Sequence, residues 1–296
     1  MHPIALDQNA LSMAALAKSG SLWAKVRQLL VDGVEQAKLT CPLPYETIAE
    51  TAALHGNRAK DRLKIGRLAD YLSGGRGFLE HRLIAAKELL ALVRFAADIH
   101  PYRLIPSGWY LDEKLMKEER DSHREYLAGM SANQAAFVTD PKRPTKRKPV
   151  FDSIALGRNA ALWRDLELYI AGRRDGFECA SIMQHFVWWS MTASEALALR
   201  EAIRHHRFTA IPVNAMHLTL GTCWEQDLMG PKPRKYSASD EIDIARCCVG
   251  LAYCGTVVTE RYVKTLCQRA SSIINPVAAV FSVAEVDDFI EHLKQI

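Results

Sequence analysis

Residues 239–266 read SDEIDIARCCVGLAYCGTVVTERYVKTL, and this stretch decides the fold class. From Asp240 to Ala252 the residues are mostly small and apolar, with acids gathered at the start. That pattern predicts a helix over 240–252 with its carboxylates at the positive end of the helix dipole. Tyr253-Cys254-Gly255 reads as a turn. Thr256-Val257-Val258-Thr259 is a short β-branched strand, Glu260 follows at once, and residues 261–271 return to helical spacing.

The two ends of the chain repeat this grammar. Pro3-Ile4-Ala5-Leu6 reads as a buried strand that ends at Asp7, with a helical pattern from Asn9. Near the other terminus, Ala278-Ala279-Val280-Phe281 predicts a last strand, and Ser282 can cap a closing helix over 283–294. Strand–acid–helix at both ends favours a parallel, doubly wound sheet. Between them, residues 21–38 are helical, with Gly33 as a weak point. Another helix begins near Tyr45 and puts Thr47, Glu50 and Thr51 on roughly one face. A basic amphipathic helix covers 58–72, the Ser73–Gly77 cluster breaks it, and a strong helix covers 79–98, where Glu88 is a weaker candidate acid that reads more readily as a surface charge. Residues 100–235 carry mixed helical patterns punctuated by prolines. The fold class expected is a helix-rich α/β protein.

Composition sets the outer bounds. The chain has 296 residues, 49% hydrophobic and 24% charged, which is ordinary for a globular protein with a sizeable core. The net charge of +4 is too small to demand a nucleic-acid partner. The opening residues lack the pattern of a signal peptide, and no apolar run reaches membrane-spanning length, so a cytoplasmic protein with no membrane partner is expected. Seven cysteines without a C-x-x-C pair read as buried free thiols, not as zinc ligands or disulfides. His205, His206 and His217 lack a metal-binding frame and read as surface or core residues. Trp163, Trp188 and Trp189 read as core packing more readily than as base-stacking platforms.

In open α/β sheets ligands bind at the carboxyl ends of the strands. Asp7 and Glu260 sit at such ends, Asp240 and Asp243 open the helix that feeds the second strand, and Glu50 lies on an early helix. Carboxylates brought together repel one another and take up protons unless a cation is present. Mg²⁺ or Mn²⁺ suits an all-oxygen donor set, and such an ion can activate water for phosphodiester hydrolysis. Each acid alone also has a structural reading as a helix cap, a first-turn charge or a solvated residue.

These segments resemble the motifs of PIN-domain nucleases. IALDQNAL (4–11) is similar to the family's opening strand and first acid, PLPYETIAETAAL (42–54) to its second acidic motif, and residues 239–266 to its acid-headed helix, turn and Thr-acid strand. The two-acid form of the third motif is similar to a group of larger bacterial PIN-like proteins. The resemblance implies a PIN-like core from residues 1–78 and 236–296, with residues 79–235 as a large helical insertion. It implies metal ligands at Asp7, Glu50, Asp243 and Glu260, with Asp240 alongside in catalysis, Thr259 beside the last acid, and RNA or single-stranded nucleic acid as substrate. Glu260 stands where the family usually has aspartate, and the gap between the second and third motifs is unusually long. Both departures motivate an alternative: a non-catalytic interaction protein that keeps a degenerate core and binds a protein partner through the insertion. The basic run at 142–148, with Lys146, Arg147 and Lys148, and the pair Arg234 and Lys235 are candidate nucleic-acid contacts.

Overall fold

The computed structural model describes residues 1–54, 56–94, 99–139, 151–205, 211–229, 232–271, 274 and 278–296. The chain opens with β1 (His2–Leu6), α1 (Gln8–Leu16), α2 (Leu22–Glu35) and the two-residue β2 (Leu39–Thr40). Then come α3 (Tyr45–Ala52), α4 (Ala59–Ser73), β3 (Arg76–Phe78), α5 (His81–Arg94) and β4 (Tyr102–Leu104). Helices α6 (Glu113–Thr139), α7 (Phe151–Ile170), α8 (Ala180–Trp188), α9 (Ala193–Arg204) and α10 (Pro212–Met229) follow. The chain closes with α11 (Ala238–Tyr253), β5 (Thr256–Thr259), α12 (Arg261–Ala270), β6 (Ala279–Ser282) and α13 (Val286–Gln295).

The protein is a helix-rich α/β fold around a four-stranded parallel sheet in the order β2-β1-β5-β6. Both chain ends build it: Ile4 pairs with Thr256, Leu6 with Val258, and Thr259 with Ser282. Side chains alternate across the sheet as the strand period requires. Ile4, Leu6 and Val258 enter a core with α1, α2, α4 and α13, while Ala5 and Val257 enter another with α10, α11 and α12. A third core, formed by α5, α7, α8 and α9 around Leu166, Met183 and Phe186, lies apart from the sheet. Among the described residues no helix is long and apolar enough to cross a membrane.

Two glycines set close approaches. A Cβ on Gly250 would stand 2.9 Å from the Ala5 Cβ and 3.0 Å from the Val257 Cγ2, so α11 lies hard against β1 and β5 only because this position is bare. A Cβ on Gly33 would stand 2.5 Å from the Leu39 Cδ2, so the expected weak point of α2 is where β2 packs against it.

Three expectations need correction. The segment 79–235 is not all helical, because β4 pairs antiparallel with β3 across the expected boundary at residue 78. Ser282 ends β6 and does not cap the last helix; α13 starts at Val286, and the Glu285 carboxylate accepts the Ser282 N–H at 2.7 Å. Glu88 is no surface charge: it is 1% exposed and accepts hydrogen bonds from Val213 N (3.0 Å), Asn214 N (3.2 Å), Asn214 Nδ2 (2.9 Å) and Tyr253 Oη (2.8 Å). Val213 and Asn214 belong to the first turn of α10, whose N–H groups have no intrahelical acceptor, so the α5 carboxylate caps a neighbouring helix at its positive end.

Replacing Glu88 with Ala strands buried donors from two segments. Glu88→Ala is expected to lose on the order of 3 kcal/mol of stability in urea unfolding, and Glu88→Gln less. A loss below about 1 kcal/mol for the alanine variant would contradict the capping role.

Candidate active site

The strand order reverses direction between β1 and β5: from β1 the chain moves to β2 on one side, and β5 leads to β6 on the other. The crevice outside the carboxyl ends of such a pair is where open α/β sheets place ligands. Asp7 follows β1 directly and Glu260 follows β5 directly.

The two oxygens of Asp7 have different surroundings. Its Oδ1 accepts the Ala10 N–H at 2.7 Å and so caps α1, while its Oδ2 is buried without a hydrogen-bond partner. Glu260 precedes the first turn of α12 without a side-chain capping bond, and its Oε1 accepts from Asn9 Nδ2 at the start of α1. Thr259, beside it, is buried at the end of β5. Glu50 reaches in from α3 and Asp243 from α11. Thr51, next to Glu50, donates its Oγ1 hydrogen to Gln8 Oε1 at 3.2 Å and ties α3 to the residue after Asp7.

Arg246, which sequence reasoning did not select, stands among these acids. Its guanidinium is buried, with Nη2 donating to Glu50 Oε2 and Nη1 at 3.4 Å from Asp243 Oδ1 one helical turn away. Burial works against its charge, but Glu50, Asp243, Asp7 and Glu46 more than offset that and raise its pKa. Its Nε is buried without a partner, as is Asp7 Oδ2, and a cavity of about 10 Å³, the size of roughly one water, is lined by Asp7, Arg246 and Thr259. The signal for Arg246 was present in the sequence: it is the one charged residue between Ile244 and Tyr253.

Burial pushes the Asp7 carboxyl up to about 6, against the pull of Arg246 and with the push of Glu260 and Glu50. Burial likewise pushes Asp243 up to about 7; Arg246 opposes this, while Glu50, Glu260 and Asp7 add to it. Four acids expected from the sequence thus share one electrostatic neighbourhood. Asp240, the fifth, is engaged elsewhere: it takes a bidentate ion pair from Arg234, Nε to Oδ2 and Nη2 to Oδ1, both 3.0 Å. The same pair occupies Arg234, a candidate nucleic-acid contact, whose guanidinium also covers the Tyr262 ring at 3.6 Å. Lys235 is exposed, and Lys146, Arg147 and Lys148 lie outside the described residues. Of the tryptophans, Trp188 is 74% exposed and Trp189 stacks on His185, so the core reading fails for Trp188.

A cavity of about 120 Å³ borders the cluster, lined by Glu46 and Ala49 of α3, Ile242 and Ala245 of α11, and His81 and His123. His81 Nδ1 lies 3.3 Å from Glu46 Oε1. Burial lowers the pKa of His123, and its ring feels both Glu50 and Arg246. With the side chains as they stand, no three His, Cys, Asp or Glu gather closely enough to hold a metal ion among the described residues. No family model, curated protein or solved structure matches the chain.

Both raised carboxyls favour the fold when protonated. Their contribution is complete below about pH 4, the unfolded value, and is lost as pH rises through about 6 for Asp7 and about 7 for Asp243. Asp243→Asn is therefore expected to raise the melting temperature at pH 8 and to change it little at pH 4; a variant that melts lower than the parent at pH 8 contradicts this account. Arg246→Met leaves the acids unopposed and is expected to cost about 3–5 kcal/mol at pH 8, read by denaturant unfolding.

Proposed function

We propose that the protein is a divalent-metal-dependent nuclease acting on RNA or single-stranded nucleic acid, with a PIN-like core from the two chain ends and a largely helical middle of the chain inserted between them. One observation carries the reading. Asp7, Glu50, Asp243 and Glu260 come from four separate segments, in the order the PIN resemblance implies, and share one electrostatic neighbourhood around Arg246. Four carboxylates against one guanidinium leave a negative site of hard oxygen donors, and Asp7 Oδ2 is buried with no partner. That donor set fits Mg²⁺ or Mn²⁺.

Asp7, Asp243, Glu260 and Glu50 would hold the ion, which when bound supplies a water of lowered pKa and charge for the developing phosphoryl anion. The chain's own residues do the rest. Arg246 holds Glu50 and Asp243 in place and supplies a fixed positive charge beside the reacting phosphate. Asp7, fixed by its capping bond through Oδ1, keeps Oδ2 free of protein partners. Asp240 serves by fixing the start of α11 through Arg234.

A second reading has its own support. Arg246 supplies the acids with a built-in cation, which is what a degenerate, non-catalytic core that binds a protein partner would carry. Calorimetric titration with Mn²⁺ separates the two readings: the nuclease binds Mn²⁺ and loses it in Asp7→Asn, whereas the degenerate core binds none. On labelled single-stranded RNA with Mn²⁺, Asp243→Asn is expected to lose at least about 100-fold in cleavage rate, beyond the loss typical of residues outside the metal's own ligands. Equal rates in parent and variant would refute the enzyme reading.

A further inference from the structure

The sulfurs of Cys247 on α11 and Cys267 on α12 lie 3.4 Å apart, from residues 20 positions apart in the chain. A disulfide holds its sulfurs at about 2.05 Å. The two thiols therefore already touch across a helix–helix contact, and side-chain rotation has only a short gap to close. Their placement relates them to the acid cluster. Cys247 directly follows Arg246 and lines the small cavity shared with Asp7, Arg246 and Thr259. Cys267 lies in the last turn of α12, the helix that Glu260 precedes. A bond between these sulfurs ties the helix carrying Asp243 and Arg246 to the helix that starts beside Glu260.

The closed fold guards the pair. Cys247 is 2% exposed and Cys267 3% exposed. The contact with Cys267 and burial both push the Cys247 thiol upward, so it stays protonated and is a poor nucleophile. The two positions differ in how they open. Cys247 sits in the interior of α11, 16 residues long, whereas Cys267 sits at the end of α12, 10 residues long. Helix ends open at much lower free energy than packed helix interiors. Oxidant therefore meets Cys267 first.

We propose that Cys247 and Cys267 are a thiol–disulfide pair that closes in response to hydrogen peroxide and locks α11 to α12. When the last turn of α12 opens, the Cys267 sulfur attacks the peroxide. An S–O bond forms, the O–O bond breaks, and the departing hydroxide leaves as water with the thiol proton. When the turn recloses, the Cys247 sulfur attacks the sulfenic sulfur of Cys267. The S–S bond forms, the S–O bond breaks, and hydroxide leaves with the Cys247 proton as a second water. Two thiols are oxidised to one disulfide while one peroxide is reduced to two waters, and a dithiol reductant reverses the change. The inference does not depend on the acid cluster being catalytic.

The test treats the full chain with hydrogen peroxide in EDTA and maps its peptides by mass spectrometry without reduction. A Cys247–Cys267 linked peptide is expected, and dithiothreitol should abolish it. Cys179, the one cysteine of the seven that is not buried, shows by sulfenic-acid trapping with dimedone that the oxidant has acted. Amide hydrogen exchange across α11 and α12 is then compared with the same sample re-reduced by dithiothreitol, which cancels any effect of methionine oxidation. Exchange in the linked form is expected to be slower by about tenfold or more. Cys247→Ser, treated alike, should show neither the link nor the slowing. The proposal is overturned if Cys179 is trapped while Cys247 and Cys267 remain thiols, if Cys267 links to the neighbouring Cys248 instead, or if the linked and re-reduced forms exchange at the same rate.

Discussion

The arrangement depends on one buried positive charge. Arg246 lies inside the fold with Glu50 and Asp243 on its terminal nitrogens and Asp7 and Glu46 within electrostatic reach. Gathering carboxylates at buried positions raises their energy by desolvation and by mutual repulsion, and the upward pKa shifts of Asp7 and Asp243 are the trace of that cost. A guanidinium suits the position better than an ammonium would. It presents a planar fork of donors, so it can engage acids on two helices at once and stay charged when buried.

Backbone geometry brings these groups together. The parallel sheet reverses its order between β1 and β5, and that reversal opens the crevice into which Asp7 and Glu260 emerge. Gly250 lets α11 lie against both strands, which fixes how far Asp243 and Arg246, one turn apart on that helix, stand from the strand ends. The same Asp7 that caps α1 with one oxygen keeps the second free of protein partners.

The middle of the chain is joined to the sheet through α5. Its Ile84 and Ala85 enter the core shared by α10, α11 and β5, while Ala86, Leu89 and Leu90 enter the helical core with α7, α8 and α9. Glu88, on the same helix, holds the start of α10 and the Tyr253 hydroxyl at the end of α11. The largest cavity among those described, about 420 Å³, lies along this seam, where helices from the middle of the chain meet those of the sheet.

Local grammar was legible in the sequence. β-branched or apolar runs marked β1, β5 and β6 closely, the first two followed by an acid, acids at a helix start marked α11, and the strand–acid–helix order foretold a parallel sheet, because these features depend on neighbours within a few residues. The four acids were also legible by their positions at strand ends and on helix faces. Tertiary structure alone decided which charges pair. Asp240 and Asp243 sit three residues apart on one helix, yet one turns to Arg234 and the other to Arg246 and the crevice. Glu88 reads as a surface charge until α10 arrives 125 residues later to be capped. Period and propensity act along the chain, whereas desolvation and charge pairing act through space, so the sequence could name the acids but only the fold could choose the cation among them.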